Sequence, residues 1–180
     1  GQLSGLSTTQ LKSVSTTAIA AITTSQLNGL SCTQLGGLTS TQIGAIGSTG
    51  FAGLSSGQIS GLTTTQLKAV STTNMGTLTT SQLNGISSVQ LAGFTATQLN
   101  NIAAAAITGG LDSAQLTGLT TTQVKGLNTT AFGALSSGQL SGLTTTQLSS
   151  LSTTAMAAIT TSQLNGLSST QVAGFTSTQI

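Results

Sequence analysis

Apolar residues recur along this chain at two positions of an eight-residue unit, and polar residues fill most of the others. Counted from Ser7, twelve octads run to Ile102, the first being "STTQLKSV", and eight more run from Asp112 to Phe175. A nine-residue unit, 103–111, separates the two blocks, and "TSTQI" follows the last octad. Positions five and eight are the apolar ones, and two such groups per octad are too few for separate cores. The repeat therefore predicts a solenoid in which successive octads share one core.

Each octad also carries the signals of one short helical turn. Position one is Ser or Thr in most octads, and exceptions such as Gly47 and Asn128 also belong to the residues that cap helix N-termini. Gln at position four completes a capping box, and the apolar residues on either side of the cap match a hydrophobic staple. Position seven is most often Gly, which is typical of a helix end. We therefore predict a solenoid built mainly of one-turn helices.

The alternative is a β-solenoid of Thr-rich strands. A strand that faces a core on one side alternates apolar and polar residues with a period of two. Positions five and eight have opposite parity, so one straight strand cannot bury both. Position five also prefers Leu, the better helix former, to Val. The many Thr and Gly residues suit strands and bends, so the alternative stays open at this point.

A second, longer period governs position four. Gln is replaced there in six units, by Ala18, Gly50, Asn74, Ala106, Ala131 and Ala155. These units are numbers 2, 6, 9, 13, 16 and 19, at gaps of 4, 3, 4, 3 and 3. In a helix, an apolar stripe recurs once per turn. By the same reasoning, the mean gap of 3.4 octads predicts the number of octads in one circuit of the solenoid.

The units without Gln form a stripe that is more apolar than its surroundings. Small residues at position four allow close approach, and the Met and Phe residues at position five can fill irregular space. The stripe consists of Ala18, Ile19, Gly50, Phe51, Asn74, Met75, Ala106, Ile107, Ala131, Phe132, Ala155 and Met156. Two interpretations remain open. The stripe either faces a wide part of the core, or it forms a lateral contact with another copy or another pass of the chain.

Two positions depart from the pattern. The nine-residue unit is expected to be an insertion tolerated at a surface bend, with Asp112 after it acting as a strong helix cap. Cys32 stands at a Ser/Thr position and is the only cysteine, which excludes an internal disulfide. We interpret it as a substitute for Ser.

The composition argues against catalysis and against several classes of partner. The chain has one Asp, three Lys, one Cys and no His, Glu or Arg, so a catalytic dyad, triad or metal cage cannot be assembled. We expect no enzyme activity and no cofactor. A net charge of +2 over 180 residues makes no basic patch for nucleic acid. No apolar run reaches the length that spans a bilayer, so no membrane insertion is expected.

The repeat resembles the long Ser/Thr-rich "LTTxQLxxL" octapeptide regions of giant bacterial surface and secreted proteins. That resemblance implies secretion and a role in adhesion or a biofilm matrix. We expect one solenoid over residues 1–180, and a longer parent chain, because the sequence begins and ends inside a repeat. The expected function is a self-associating extracellular rod, such as a matrix fibre, sheath or adhesin stalk, whose hydroxyl-rich surface allows O-glycosylation. The alternatives are an ice-binding or ice-nucleating solenoid, and a phage-fibre or spacer segment.

Overall fold

The computed structural model describes residues 2–180 as a series of short helices without a strand in that range. A 3-10 helix, Gln2–Gly5, comes first, and each following octad contributes one α-helix that carries the number of its octad. The helices are α1 (Thr8–Lys12), α2 (Thr16–Ala20), α3 (Thr24–Asn28), α4 (Cys32–Gly36), α5 (Ser40–Gly44), α6 (Ser48–Ala52), α7 (Ser56–Ser60), α8 (Thr64–Lys68), α9 (Thr72–Met75), α10 (Thr80–Asn84), α11 (Ser88–Leu91), α12 (Ala96–Leu99), α13 (Ala104–Gly110), α14 (Ser113–Leu116), α15 (Thr121–Lys125), α16 (Thr129–Gly133), α17 (Ser137–Ser141), α18 (Thr145–Ser149), α19 (Thr153–Met156), α20 (Thr161–Asn165) and α21 (Ser169–Ala173). The β-solenoid alternative is therefore not supported.

Most helices begin at a residue whose side chain caps the helix, as the sequence predicts; α6 and α13, which begin after Gly47 and Ala103, are the exceptions. Ser7 has the extended backbone of an N-cap, with φ −68° and ψ 159°, and its hydroxyl accepts from the Gln10 amide at 3.3 Å. The Ser7 amide in turn donates to the Gln10 side-chain oxygen at 2.8 Å. The same reciprocal box forms at every Gln-containing octad from α1 to α21; Gln26 in α3 and Gln171 in α21 are examples. The capping box thus fixes the start of the helices through local contacts alone.

The glycines at position seven do not end the helices by adopting a left-handed conformation. No residue between 2 and 180 has a positive φ, and Gly29 has φ −75° and ψ −13°, close to the values of Ala45 at the same position. Glycine is needed instead for close approach between layers. A Cβ on Gly118 would lie 2.1 Å from the backbone oxygen of Ser88, so a larger residue there would require the layers to move apart.

The core consists of the apolar residues at positions five and eight. Leu11, Leu35 and Leu67 at position five are at most 1% exposed, and Leu38 and Leu62 at position eight are 3% and 2% exposed. The buried residues from Leu11 to Ala155 form one continuous cluster. One-turn helices are unstable alone, so the shared core between octads is what stabilises them.

Successive circuits are related by a fixed offset. Each helix packs against the helix three octads further along the chain, as α5 does against α8 and α10 against α13. The side-chain amides at position four, described below, bond from octad 4 onward to the octad four before their own. One circuit of this helical repeat solenoid therefore takes between three and four octads.

The nine-residue unit is accommodated differently from the sequence-based expectation. Its additional residue lies within α13, the longest helix at seven residues, and not at a surface bend. The run of alanines before Ile107 favours a longer helix because Ala has the highest helix propensity. Asp112 caps the next helix as predicted, its carboxylate accepting from the Gln115 amide at 2.6 Å.

Candidate functional site

The residues with titratable or nucleophilic side chains are dispersed over the outside of the solenoid. Asp112, Cys32 and the lysines Lys12, Lys68 and Lys125 are exposed. Within residues 2–180 no three His, Cys, Asp or Glu residues come together in a group able to hold a metal ion. In the same part of the chain no helix has the length and apolar character needed to cross a membrane.

The stripe of octads without Gln lies mostly inside the solenoid. Ten of its twelve residues are buried: Ile19, Gly50, Phe51, Asn74, Met75, Ala106, Ile107, Ala131, Phe132 and Ala155. Ala18 is exposed and Met156 is half-buried. Most of the stripe therefore lies inside the single chain. The buried side chains are not on the outer surface, where a neighbouring copy would meet them.

The glutamines of position four make the most specific polar contacts in the molecule. In Gln42, the side-chain oxygen Oε1 accepts from the amide of Thr39, the N-cap of its own helix, at 2.8 Å. The side-chain nitrogen Nε2 donates to the backbone oxygen of Val14 at 2.7 Å and to that of Leu11 at 2.9 Å. One amide thus joins the start of α5 to the end of octad 1, in the preceding layer. We call this arrangement a glutamine clamp.

The clamp repeats through the chain with one rule. Every Gln at position four from octad 4 onward donates through Nε2 to the position-eight carbonyl four octads earlier. The pairs are Gln34 with Leu6, Gln42 with Val14, Gln58 with Leu30, Gln66 with Leu38, Gln82 with Leu54, Gln90 with Leu62, Gln98 with Val70, Gln115 with Ile86, Gln123 with Phe94, Gln139 with Leu111, Gln147 with Leu119, Gln163 with Leu135, Gln171 with Leu143 and Gln179 with Leu151. The clamp therefore connects every circuit to the one before it.

The additional residue of the nine-residue unit changes the count but not the rule. Gln42 bonds to carbonyls 28 and 31 residues before it, whereas Gln115 and Gln123 bond to carbonyls 29 and 32 residues before them. The longer helix α13 lies between donors and acceptors in the second case. Register is thus set by octads and not by the number of residues.

Asn74 takes the place of Gln in octad 9 and makes half of the clamp. Its side-chain nitrogen donates to the Ile46 carbonyl at 2.8 Å, but its helix lacks the capping box. An asparagine side chain is one methylene shorter, so it cannot reach both the preceding layer and its own cap. The cross-layer bond is the one that is kept.

Burial makes the clamp important for stability. Gln42 is 2% exposed and Gln66 is 4% exposed, and a buried amide without a partner costs about 1–3 kcal/mol. In the described part of the chain no buried side-chain nitrogen or oxygen lacks a hydrogen bond. The clamps therefore allow a polar side chain at the edge of an apolar core and also fix how the layers align.

The sequence pattern predicts only the capping role of these glutamines, and the cross-layer bond becomes visible in the structure. The signal that could have revealed it is the absence of Glu. A capping box accepts Glu as readily as Gln, and a negative charge suits a helix N-terminus. Only Gln adds an N–H donor to the acceptor. Fifteen of the 21 units from Ser7 to Phe175 carry Gln at position four and none carries Glu, which indicates a second, donating role for this side chain.

The outer surface is formed by positions one to three and six, and it is nearly uncharged. Thr65, Thr122 and Asn84 are examples of exposed residues at these positions. Val89, at position three, is a large apolar residue on this surface and is 70% exposed. The molecule therefore presents mainly hydroxyl and amide groups to its surroundings.

Comparison with known proteins gives one similarity. Residues 109–145 match the ALTTAQ repeat, a family of sequence repeats, over a minority of the chain. No curated protein and no solved structure matches this chain. Together with the helices described above, the match identifies a Thr-rich repeat region that folds as a helical solenoid.

Proposed function

We propose that this chain is a structural, self-associating rod or filament of a bacterium, located outside the cell or at its surface. Matrix fibre, sheath and adhesin stalk are the forms that such a rod would take. We also propose that it carries no catalytic activity and needs no cofactor. Its partners are other copies of itself or other passes of the same chain, and exposed Ser and Thr hydroxyls are proposed sites for O-glycans.

The observation that carries this proposal is the clamp from Gln42 to Val14 and its repetition. Each clamp uses a backbone carbonyl as acceptor, which every octad supplies whatever its outward side chains are. Octads can therefore be added without a new kind of contact, which is the basis of stability in repeat proteins. At 3.4 octads per circuit, the spacing that the sequence predicts, the result is a rod of constant cross-section.

The exterior supports association between rods. Like-charge repulsion keeps most soluble proteins apart, and proteins of low charge associate more readily. Here the charges are three exposed lysines and one Asp on a surface of hydroxyls and amides. Contacts between such surfaces depend little on screening by salt, because few charges are present to be screened.

The test is assembly of the purified chain. Sedimentation velocity over a range of protein concentrations, with negative-stain electron microscopy, should give concentration-dependent oligomers and elongated particles. Raising the salt from about 0.05 M to about 1 M should leave the association almost unchanged, because screening has little to act upon. A chain that stays monomeric at every concentration, or that dissociates in high salt, would contradict the proposal.

A further inference from the structure

The clamps are not evenly distributed along the solenoid. Octads 7 to 12 all carry a side-chain amide at position four that bonds to the preceding layer, from Gln58 to Gln98. Octads 13 to 16 carry two, Gln115 and Gln123, and have Ala106 and Ala131 at the other two positions. An alanine side chain has no donor, so half of the clamps are missing where the adjoining stretch has all of them.

The core is also less complete in the same stretch. A cavity of about 20 Å³ lies among nine apolar side chains from octads 12 to 16, among them Ile107, Leu119 and Ala131. Two position-eight residues at this cavity are more exposed than the position-eight residues from Leu30 to Ile102, which are 2–4% exposed. Leu111 and Leu127 are each 8% exposed, compared with 2% for Leu62. Voids of this kind lower stability because the surrounding atoms lose their packing partners.

A third stabilising contact, the helix cap, is missing at the start of α13. Ala103 occupies the N-cap position and provides no side-chain hydrogen bond, whereas the octads on either side are capped by Thr95 and Asp112. Octad 13 thus has neither a capping side chain nor a clamp. Three independent losses coincide there: a cap, two of four clamps and part of the core packing.

We propose that residues 99–135 form a yielding segment, in which the layers of the rod separate before those of residues 55–86. In a one-dimensional repeat, stability depends on the contacts between neighbouring layers, so a local deficit lets one stretch open while the others stay folded. A rod with such a segment bends or extends at one defined place under load. This inference concerns the single chain and does not depend on the proposed self-association.

Hydrogen exchange on the full chain, read by mass spectrometry and corrected for intrinsic rates, tests the proposal. Protection of the helices α13 to α16 should be lower than that of α7 to α10 by about tenfold or more, since each missing hydrogen bond and void lowers the free energy of local opening. Equal or higher protection in α13 to α16 would overturn the proposal without the need for any variant.

Two matched variants test the cause. Ala131→Val adds two methyl groups beside the cavity, and it should raise protection of residues 99–135 several-fold while leaving residues 55–86 unchanged. Ala155→Val makes the same change at position four of octad 19, at a residue that is 1% exposed and does not line the cavity. It should not raise protection of residues 99–135. If both variants protect that segment equally, or if neither does, the incomplete core is not the cause and the proposal fails.

Discussion

The side-chain nitrogen of Gln42 lies 2.7 Å from the backbone oxygen of Val14, although 28 residues separate the two in the sequence. The same side chain accepts from the Thr39 amide through its oxygen. Gln42 therefore completes a local signal, the helix cap, and a long-range one, the alignment of two circuits. Because both bonds use one planar amide, formation of the helix and stacking of the layers are coupled.

The clamp predicts how substitutions at position four should act. Gln66→Ala removes both bonds and leaves the carbonyl oxygens of Gly36 and Leu38 without their donor. We expect a loss of about 1–3 kcal/mol in the free energy of unfolding. Gln66→Glu keeps the capping acceptor but places a carboxylate beside those carbonyls, so at neutral pH it should cost more, about 2–4 kcal/mol. Urea denaturation at pH 7 measures both.

The stability of the Gln66→Glu variant should depend on pH in a definite direction. Burial beside carbonyl oxygens raises the pKa of the introduced carboxyl above its usual value of about 4.3. The folded state then binds the proton more tightly than the unfolded state, so stability of the variant should fall as the pH rises above about 4.3. Below that pH the protonated carboxyl can donate again, and part of the loss should be recovered.

Gln26→Glu is the matched control. The Gln26 side chain is exposed, and within residues 2–180 it bonds only to Thr23, the N-cap of its own helix. Glu serves equally well there, so the change should stay within about 0.5 kcal/mol. A cost at Gln26 as large as at Gln66 would mean that the capping role, and not the cross-layer bond, accounts for the glutamines.

The features of the fold that the sequence predicts correctly depend on local contacts. A Ser at position one and a Gln three residues later, such as Ser7 and Gln10, determine the cap within one octad, so helix starts are readable from the chain. Apolar positions five and eight are likewise sufficient to predict a shared core. The existence of a solenoid follows from these two signals and the length of the repeat.

The features that the sequence does not reveal depend on contacts between layers. The partner of Gln42 is a backbone carbonyl, and a carbonyl leaves no trace in the identity of Val14. The need for Gly118 arises from the Ser88 backbone 30 residues away, and a position-seven Gly looks the same whether it ends a helix or admits a neighbour. The stripe that includes Phe132 allowed two interpretations, since periodicity alone does not tell the inner side of a coil from the outer.

Substitution of two glycines tests whether glycine is needed for close approach between layers or for backbone flexibility. Gly118→Ala would place Cβ against the Ser88 backbone and should cost about 1–3 kcal/mol, because backbone cannot move aside as a flexible side chain can. Gly138→Ala adds the same atom in open space within α17 and should stabilise by about 0.5–1 kcal/mol through helix propensity. Thermal unfolding of both variants is the measurement. Similar effects of the same sign would show that layer spacing does not determine the choice of glycine.

A missing cap offers a stabilising substitution. Gly47 is the N-cap of α6 with φ −66° and ψ 156°, values that Ser adopts at other caps, and no atom lies within 4 Å of its added Cβ. Gly47→Ser should raise the free energy of unfolding by about 0.5–1 kcal/mol, through a new hydroxyl bond to the Gly50 amide and a less flexible unfolded chain. Gly47→Ala adds the Cβ without the hydroxyl. If it stabilises as much as Ser does, capping is not the reason.

Substitution of Phe132 distinguishes the two interpretations of the stripe. Phe132 is fully buried within it, and Phe132→Leu removes ring atoms from the core. We expect a loss of about 1–2 kcal/mol in the free energy of unfolding, because the space that the ring occupied is filled only in part. Association of the rods, measured by sedimentation well below the melting temperature, should not change. A stripe that formed a lateral contact would give the opposite result, weaker association with little change in stability.

Thr130→Ala is the control in the same octad. Thr130 is exposed on the outer side of α16, and its side chain does not reach the core. The free energy of unfolding of the Thr130→Ala variant should stay within about 0.5 kcal/mol of that of the original chain, as for most surface substitutions. Hydroxyl groups cover the outer surface where rods would meet. A series of substitutions of exposed hydroxyl residues, like Thr130→Ala, should therefore change the association of the rods. A loss of association from Phe132→Leu but not from that series would assign the contact to the stripe after all.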